Sequence, residues 1–182
     1  MSFQSPKEDI LRELEQKASQ YFEISGNCAQ SSFLALQEQF GLDGGPILKA
    51  LTPFPGLAFR GEICGTVVGC TMALGLVFGR EKLDDWGGYV HSIPPVRAFF
   101  RHFKREVGSI VCGDVVESEF GERFDVIEPA ETKRWLKAGA LEKCAVVLKK
   151  GVRIAAEIIL ERTQPTRGQK DSGHEKRPFT VS

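Results

Sequence analysis

The chain has 182 residues, enough to bury a hydrophobic core, and its 24 basic residues are balanced by 24 acidic ones. A formal net charge of zero gives no general attraction for nucleic acid or anionic membrane, so neither is expected as a partner. The N-terminal sequence MSFQSPKEDI lacks the basic start and apolar run of a signal peptide, and we expect a cytoplasmic protein.

Helix signals begin at the N-terminus. Ser5 can cap a first helix whose first position suits Pro6, and apolar residues then recur at helical spacing. Asn27 can cap a second helix that runs from residue 28 to about residue 40. A short third helix is predicted from residue 44 to residue 51, because prolines follow it directly.

The most apolar segment covers residues 63–79. It is shorter than the roughly 18–20 apolar residues that span a bilayer, so we predict a buried central helix and no membrane insertion. Residues 79–93 are interpreted as a loop, and Pro94-Pro95 as the start of the next helix.

The rest of the chain also favours helices. A short turn or helix is predicted around residue 112, and a last helical stretch begins near residue 131 and resumes over residues 141–162. No segment alternates like a strand. We therefore predict an all-α fold, a compact bundle of about six to eight helices that forms one domain over residues 1–162. Residues 163–182 have the composition of a disordered tail. An apolar helix face would allow a homodimer.

The five cysteines are the chemically distinctive feature: Cys28, Cys64, Cys70, Cys112 and Cys144. Without an export signal they are not expected to form a disulfide framework, which leaves metal or cluster ligands, reactive thiols or buried apolar residues. The first, second and fourth lie near predicted helix starts, where free N–H groups and the helix dipole lower a thiol pKa. On a helix, Cys70 is turned about 240° away from Cys64, so we expect Cys70 in the core.

Three glycines precede or follow Cys64 at intervals of four: Gly61, Gly65 and Gly69. Glycine inside a helix costs about 0.5–1 kcal/mol relative to alanine. Two explanations are open: another helix backbone approaches closely, or a group wider than a side chain lies against these positions. The second explanation makes the three glycines candidates for contact with a cofactor.

These residues also carry a resemblance to a known family. The matching pieces are Asn27-Cys28-Ala29-Gln30, the block from Arg60 to Gly65 with Gly69, and then Cys112 and Cys144. In this order they resemble the redox-active proteins named for a C…CGAxxG…C…C pattern (the C_GCAxxG_C_C family), over about residues 10–162. Thr66 departs from the pattern, where alanine is usual, and Cys70 is an additional cysteine.

The resemblance implies a redox role, as an oxidoreductase or an electron-transfer accessory protein with an unidentified redox partner. A related domain occurs in the split-Soret cytochrome, which carries an iron–sulfur cluster, and this implies cluster binding here.

Three hypotheses follow for the cysteines. In the first, Cys28, Cys64, Cys112 and Cys144 are the metal ligands of a [2Fe–2S] or [4Fe–4S] cluster that transfers electrons. In the second, Cys64 is the attacking thiolate of thiol–disulfide chemistry, and Cys28 or Cys112 resolves the mixed disulfide. In the third, the chain is a zinc-binding or structural module without catalysis.

Overall fold

The computed structural model describes residues 6–163, which contain nine helical segments. In chain order the segments are α1 (Pro6–Ser25), α2 (Cys28–Phe40), α3 (Gly45–Ala50), α4 (Gly56–Phe59), α5 (Gly65–Phe78), α6 (Trp86–Val107), α7 (Cys112–Phe120), α8 (Pro129–Lys137) and α9 (Ala140–Thr163). Between residues 6 and 163 there is no β-strand, only an isolated bridge between Ile63 and Val111. The all-α prediction is confirmed. Of the tail predicted over residues 163–182, Thr163 is instead the last residue of α9. The rest of that tail and the predicted cap at Ser5 lie outside the described residues.

Five long helices form the body of the fold, with α5 and α9 at its centre. Helix α5 packs against α2, α6 and α9, and α9 also packs against α1. The largest fully buried side chains come from all five long helices and include Leu11, Phe33, Leu36, Val67, Phe103 and Leu148. The predicted central helix over residues 63–79 is therefore confirmed as α5. None of the helices within residues 6–163 is long and apolar enough to cross a membrane.

Helices α2 and α5 approach closely because two glycines of α5 face α2. A Cβ atom added at Gly69 would lie 2.2 Å from Ser32 Oγ and 2.3 Å from the carbonyl oxygen of Ala29. A Cβ atom at Gly65 would lie 2.5 Å from Cys28 Sγ. Such separations are not tolerated, so close backbone approach, the first of the two explanations, accounts for glycine at position 69.

The start of α6 differs from the prediction. Residues 86–93 were expected in a loop, yet the helix begins at Trp86 and continues through Pro94 and Pro95. Asp85 is the N-cap of the helix, because its carboxylate accepts a hydrogen bond of 2.9 Å from the Gly88 N–H. The two prolines lie inside the helix, where each removes one N–H donor.

We predict that Gly69→Ala lowers the free energy of unfolding by about 1–3 kcal/mol, because the added methyl group overlaps Ser32 and the α2 backbone. Urea denaturation measures the change. Gly75→Ala is the matched control on the same helix, since nothing lies within 4 Å of its added Cβ atom. This control should raise stability by about 0.5–1 kcal/mol. Equal losses in the two variants would contradict the close α2–α5 contact.

Candidate functional site

Cys64 occupies the N-cap position of α5, as its predicted place at a helix start requires. The N–H groups of Thr66 and Val67, at the second and third helical positions, favour its thiolate, and the Thr66 hydroxyl adds a further donor. Cys64 is buried, with 6% of its surface exposed. Its sulfur is therefore shielded from water but faces hydrogen-bond donors.

Cys28 is the first residue of α2, and the Asn27 cap fixes its position. The Asn27 side-chain oxygen accepts hydrogen bonds from the N–H groups of Ala29 and Gln30, at 3.2 and 3.0 Å. The Asn27 amide nitrogen donates to the Thr52 carbonyl oxygen at 3.0 Å. One side chain thus begins α2 and ties that helix start to the segment that follows α3.

The thiols of Cys28 and Cys64 lie within hydrogen-bonding reach of each other. The Cys28 thiol donates to the Cys64 sulfur, and together with the helix N–H groups it lowers the pKa of Cys64 to about 7. The pKa of Cys28 is raised well above its usual value, because this thiol gives up a hydrogen bond when it ionises and because it is buried. Cys64 therefore loses its proton first, near neutral pH, while Cys28 stays a thiol.

A short backbone bridge brings Cys112 to the same place. The Cys64 N–H donates to the Ile110 carbonyl oxygen at 2.8 Å, and the Gly113 N–H donates to the Gly61 carbonyl oxygen at 2.9 Å. Cys112 lies between these bonds and is the first residue of α7. Segments far apart in sequence are thereby held side by side, with their cysteines together.

Helix α4 is a single left-handed turn whose first residue lies against the side chain of Cys112. Leu57, Ala58 and Phe59 all have positive φ, of 53°, 55° and 59°. This conformation costs about 1–2 kcal/mol for each non-glycine residue. Hydrogen bonds from the N–H groups of Ala58 and Phe59 to preceding carbonyl oxygens, at 2.7 and 2.8 Å, partly offset that cost. The turn begins at Gly56, where an added Cβ atom would lie 3.2 Å from Cys112 Sγ.

Cys144 completes the group from α9. Burial and the negative charge of Cys64 raise the pKa of Cys144 to about 12, and the same two causes raise the pKa of Cys112 to about 12. Electrostatic interactions with Cys112 and Cys144 also raise the pKa of Cys28. The four cysteines of the sequence hypothesis are thus close enough to interact electrostatically.

Three of the four cysteines, Cys28, Cys112 and Cys144, line one cavity of about 460 Å³. Cys64 is not among the lining residues and interacts with Cys28. Of the three candidate glycines, Gly61 lines the cavity and Gly65 lies against Cys28. Gly69 lies against the α2 backbone instead. Contact of these glycines with a cofactor stays a prediction.

Cys70 does not line this cavity. It is fully buried in the core beside the Ser32 hydroxyl, and burial raises its pKa strongly. All five cysteines are free thiols. Across residues 6–163, no three or more His, Cys, Asp or Glu side chains are placed to hold a single metal ion.

Sequence reasoning missed most of the remaining cavity wall. The missed residues come from α1, α4, the 121–128 loop and α8, and they include Phe22, Phe59, Arg123, Phe124 and Trp135. No local pattern marks them, because they meet only through tertiary packing. Arg60 also lines the cavity. In the sequence it is marked only as part of the block that contains Cys64.

A family model described as "Putative redox-active protein (C_GCAxxG_C_C)" matches residues 26–158. That span contains all four cysteines of the centre, the glycine block and most of the cavity wall. Among curated proteins and solved structures, none matches the chain.

We predict that Thr66→Ala raises the pKa of Cys64 in the reduced, metal-free protein, because the thiolate loses a hydroxyl donor. Thiolate absorbance at 240 nm against pH measures this: in the wild type one thiolate should form near pH 7, and in the variant at higher pH. Thr71→Ala is the matched control, since its buried hydroxyl has no partner within the described residues. Equal shifts in both variants, or none in Thr66→Ala, would refute the assignment.

Proposed function

The chain belongs to the C_GCAxxG_C_C family of redox-active proteins, and on this basis we propose that Cys28, Cys64, Cys112 and Cys144 bind an iron–sulfur cluster. Four cysteine thiolates are the ligand set of both [2Fe–2S] and [4Fe–4S] clusters. When bound, such a cluster supplies reversible electron transfer, and the protein would pass electrons to a redox partner.

One observation carries the proposal: cysteines from three separate elements line one cavity, and a fourth, Cys64, lies within hydrogen-bonding reach of Cys28. Cys28, Cys64 and Cys112 lie at the N-terminal ends of α2, α5 and α7, and Cys144 is contributed by α9. The N-termini of α2 and α7 therefore meet at the cavity, and the N-terminus of α5 lies beside that of α2. Their free N–H groups and dipoles favour an anionic centre, which a cluster held by thiolates is.

The electrostatics of the thiols support a positively charged occupant. Burial and the Cys64 thiolate both oppose the ionisation of Cys112 and Cys144, so the metal-free group does not hold several thiolates at neutral pH. Metal cations reverse this effect, because thiols that coordinate a metal lose their protons. Displacement of these protons by iron would allow the four thiols to act together as ligands, which supports the proposal.

Glycines and apolar side chains would shape the surroundings of the cluster. Because Gly56 and Gly65 have no side chain, backbone lies against the sulfurs of Cys112 and Cys28. Phe22, Phe59 and Phe124 line the cavity and would limit contact with water. Both features set the reduction potential of a cluster, through hydrogen bonds to sulfur and through solvent exposure.

A second candidate function is thiol–disulfide exchange, and the contact between Cys28 and Cys64 favours it. The Cys64 thiolate and the Cys28 thiol could form a disulfide bond, giving two electrons and the Cys28 proton to an external disulfide, which is reduced to one thiol and one thiolate. The lowered pKa of Cys64 suits this reaction. No arrangement among residues 6–163 specifically favours the zinc-binding or structural hypothesis.

We predict that protein purified without oxygen is brown and contains iron and acid-labile sulfide. Replacing Cys64 with serine should abolish the colour and most of the iron, because its thiolate is the ligand most strongly stabilised by N–H donors. Cys70→Ala is the control and should keep both, since Cys70 lies outside the cavity.

Other results would contradict the cluster. Colourless, iron-free protein that reversibly loses two thiols, with a Cys28–Cys64 disulfide in peptide maps, would establish the second candidate instead. Colour that persists in Cys64→Ser but disappears in Cys70→Ala would place the ligands elsewhere.

A further inference from the structure

We propose that α6 carries a homodimer interface, in which Trp86 of each copy packs into a groove on α6 of the other copy. The interface is built on an apolar stripe along the first four turns of the helix. We define this α6 stripe by six residues: Trp86, Tyr89, Val90, Ile93, Val96 and Phe100. The proposal goes beyond the proposed function and does not depend on what the cysteines bind.

Helix α6 has apolar residues on two opposite sides. The side that faces the core contributes four buried residues, Pro95, Ala98, Phe99 and Phe103. The α6 stripe recurs at intervals of three and four residues and lies about half a turn away from this buried set. No residue from Trp86 to Pro94 is buried, and 67% of the surface of Trp86 and 63% of that of Val90 are exposed. A continuous exposed apolar surface of this kind marks an interaction site.

The exposed rings at the start of the stripe are held in one arrangement. The centres of the Trp86 and Tyr89 rings are 5.8 Å apart, with the rings nearly perpendicular. The guanidinium of Arg80 lies 5.8 Å from the centre of the Trp86 ring and 4.9 Å from that of Tyr89. Because these side chains are ordered before a partner arrives, binding costs less conformational entropy. Tryptophan, tyrosine and arginine are also the residues that contribute most of the binding energy in protein interfaces.

The groove that would receive Trp86 lies further along the same helix. Five residues of α6 line it: Ile93, Val96, Arg97, Phe100 and Arg101. Its volume of about 440 Å³ lies in the range that holds a small ring system, roughly 300–1,000 Å³. Its apolar side chains can contact the indole of a tryptophan, and either arginine can lie over the indole face in a cation–π contact.

The spacing of these two features identifies a second copy of the chain as the occupant. Trp86 and the middle of the groove, at Arg97, are about 16 Å apart along α6. In a two-fold symmetric pair the two α6 helices run antiparallel, so that Trp86 of each copy reaches the groove of the other. Val90 and Ile93 lie midway and would contact their counterparts near the axis. One helix thus supplies both halves of a self-complementary interface, and the contact is made twice.

The charges at the two ends of the stripe match in the same arrangement. Residues 81–85, just before α6, carry three acidic side chains and one basic one, whereas the groove carries two arginines. Among residues 6–163, the ion pair that α6 forms joins Arg105 to Glu106, so Arg97 and Arg101 stay available. Antiparallel packing brings the acidic segment of each copy to the arginines of the other. This favours a second copy over a partner of uniform charge.

Sedimentation equilibrium of the reduced, full-length chain tests the proposal. We expect a monomer–dimer equilibrium with a dissociation constant in the micromolar range or below. Trp86→Ala should raise that constant at least about a hundredfold, because it removes a contact that is made twice. Val90→Glu should have a similar effect, since it places two carboxylates near the axis. Val146→Glu is the matched control, because Val146 is a valine of α9 that is 52% exposed, and this variant should dimerise like the wild type.

Fluorescence shows whether the dimer uses this surface. In Trp135→Phe, Trp86 is the one remaining tryptophan of the chain. Its emission should move to shorter wavelength over the same concentrations at which dimers form, because the indole leaves water. Circular dichroism and iron content of the Trp86, Val90 and Val146 variants should match the wild type, since these residues are exposed and none is a proposed metal ligand. Failure of the interface is thereby separated from failure of the cluster.

Three results would overturn the proposal. The first is a wild type that stays monomeric at about 100 µM. The second is a Val90→Glu variant that dimerises as tightly as Val146→Glu. The third is a dimer that forms without a shift in the emission of Trp86, which would place the contact on another surface.

Discussion

The close contact between α2 and α5 is the constraint on which the cysteine centre depends. Gly65 and Gly69 let the two backbones approach, and this brings the first residue of α2 to the N-cap of α5. The contact between Cys28 and Cys64 is a direct result. The bridge from Ile63 to Val111 then adds Cys112, and the packing of α9 on α2 and α5 adds Cys144. A methyl group at either glycine would thus disturb both the core and the site.

One thiolate organises the electrostatics of this site. The Cys64 thiolate is stabilised by the Cys28 thiol and by helix N–H groups, and burial together with its charge keeps Cys112 and Cys144 protonated. Such an arrangement favours either a cation that removes the remaining protons or an oxidation that removes the charge by forming a disulfide. Both proposed functions are redox functions of the same four residues. They differ in whether iron is the occupant.

The all-helical class, the central apolar helix and the helix-start cysteines could be predicted, because caps, hydrophobic periodicity and glycine spacing are local signals. The start of α6 could not, since a proline pair usually marks a helix start and here lies inside a helix that Asp85 caps. Nothing in the residue types of Leu57, Ala58 and Phe59 indicates a left-handed turn. The aromatic wall could not be predicted for another reason: Phe22 and Trp135 line one cavity only after α1 and α8 have each packed against α9.

The central claim is that the sulfurs of Cys28, Cys112 and Cys144 lie together at one cavity. Thiol cross-linking tests this claim most directly. Reduced, metal-free protein would be treated with dibromobimane, which becomes fluorescent when it bridges two thiols, and the bridged peptides would be mapped. The cavity predicts bridges among Cys28, Cys112 and Cys144 and none to Cys70. Absence of bridges between these three, or bridges that include Cys70, would contradict a shared cysteine centre.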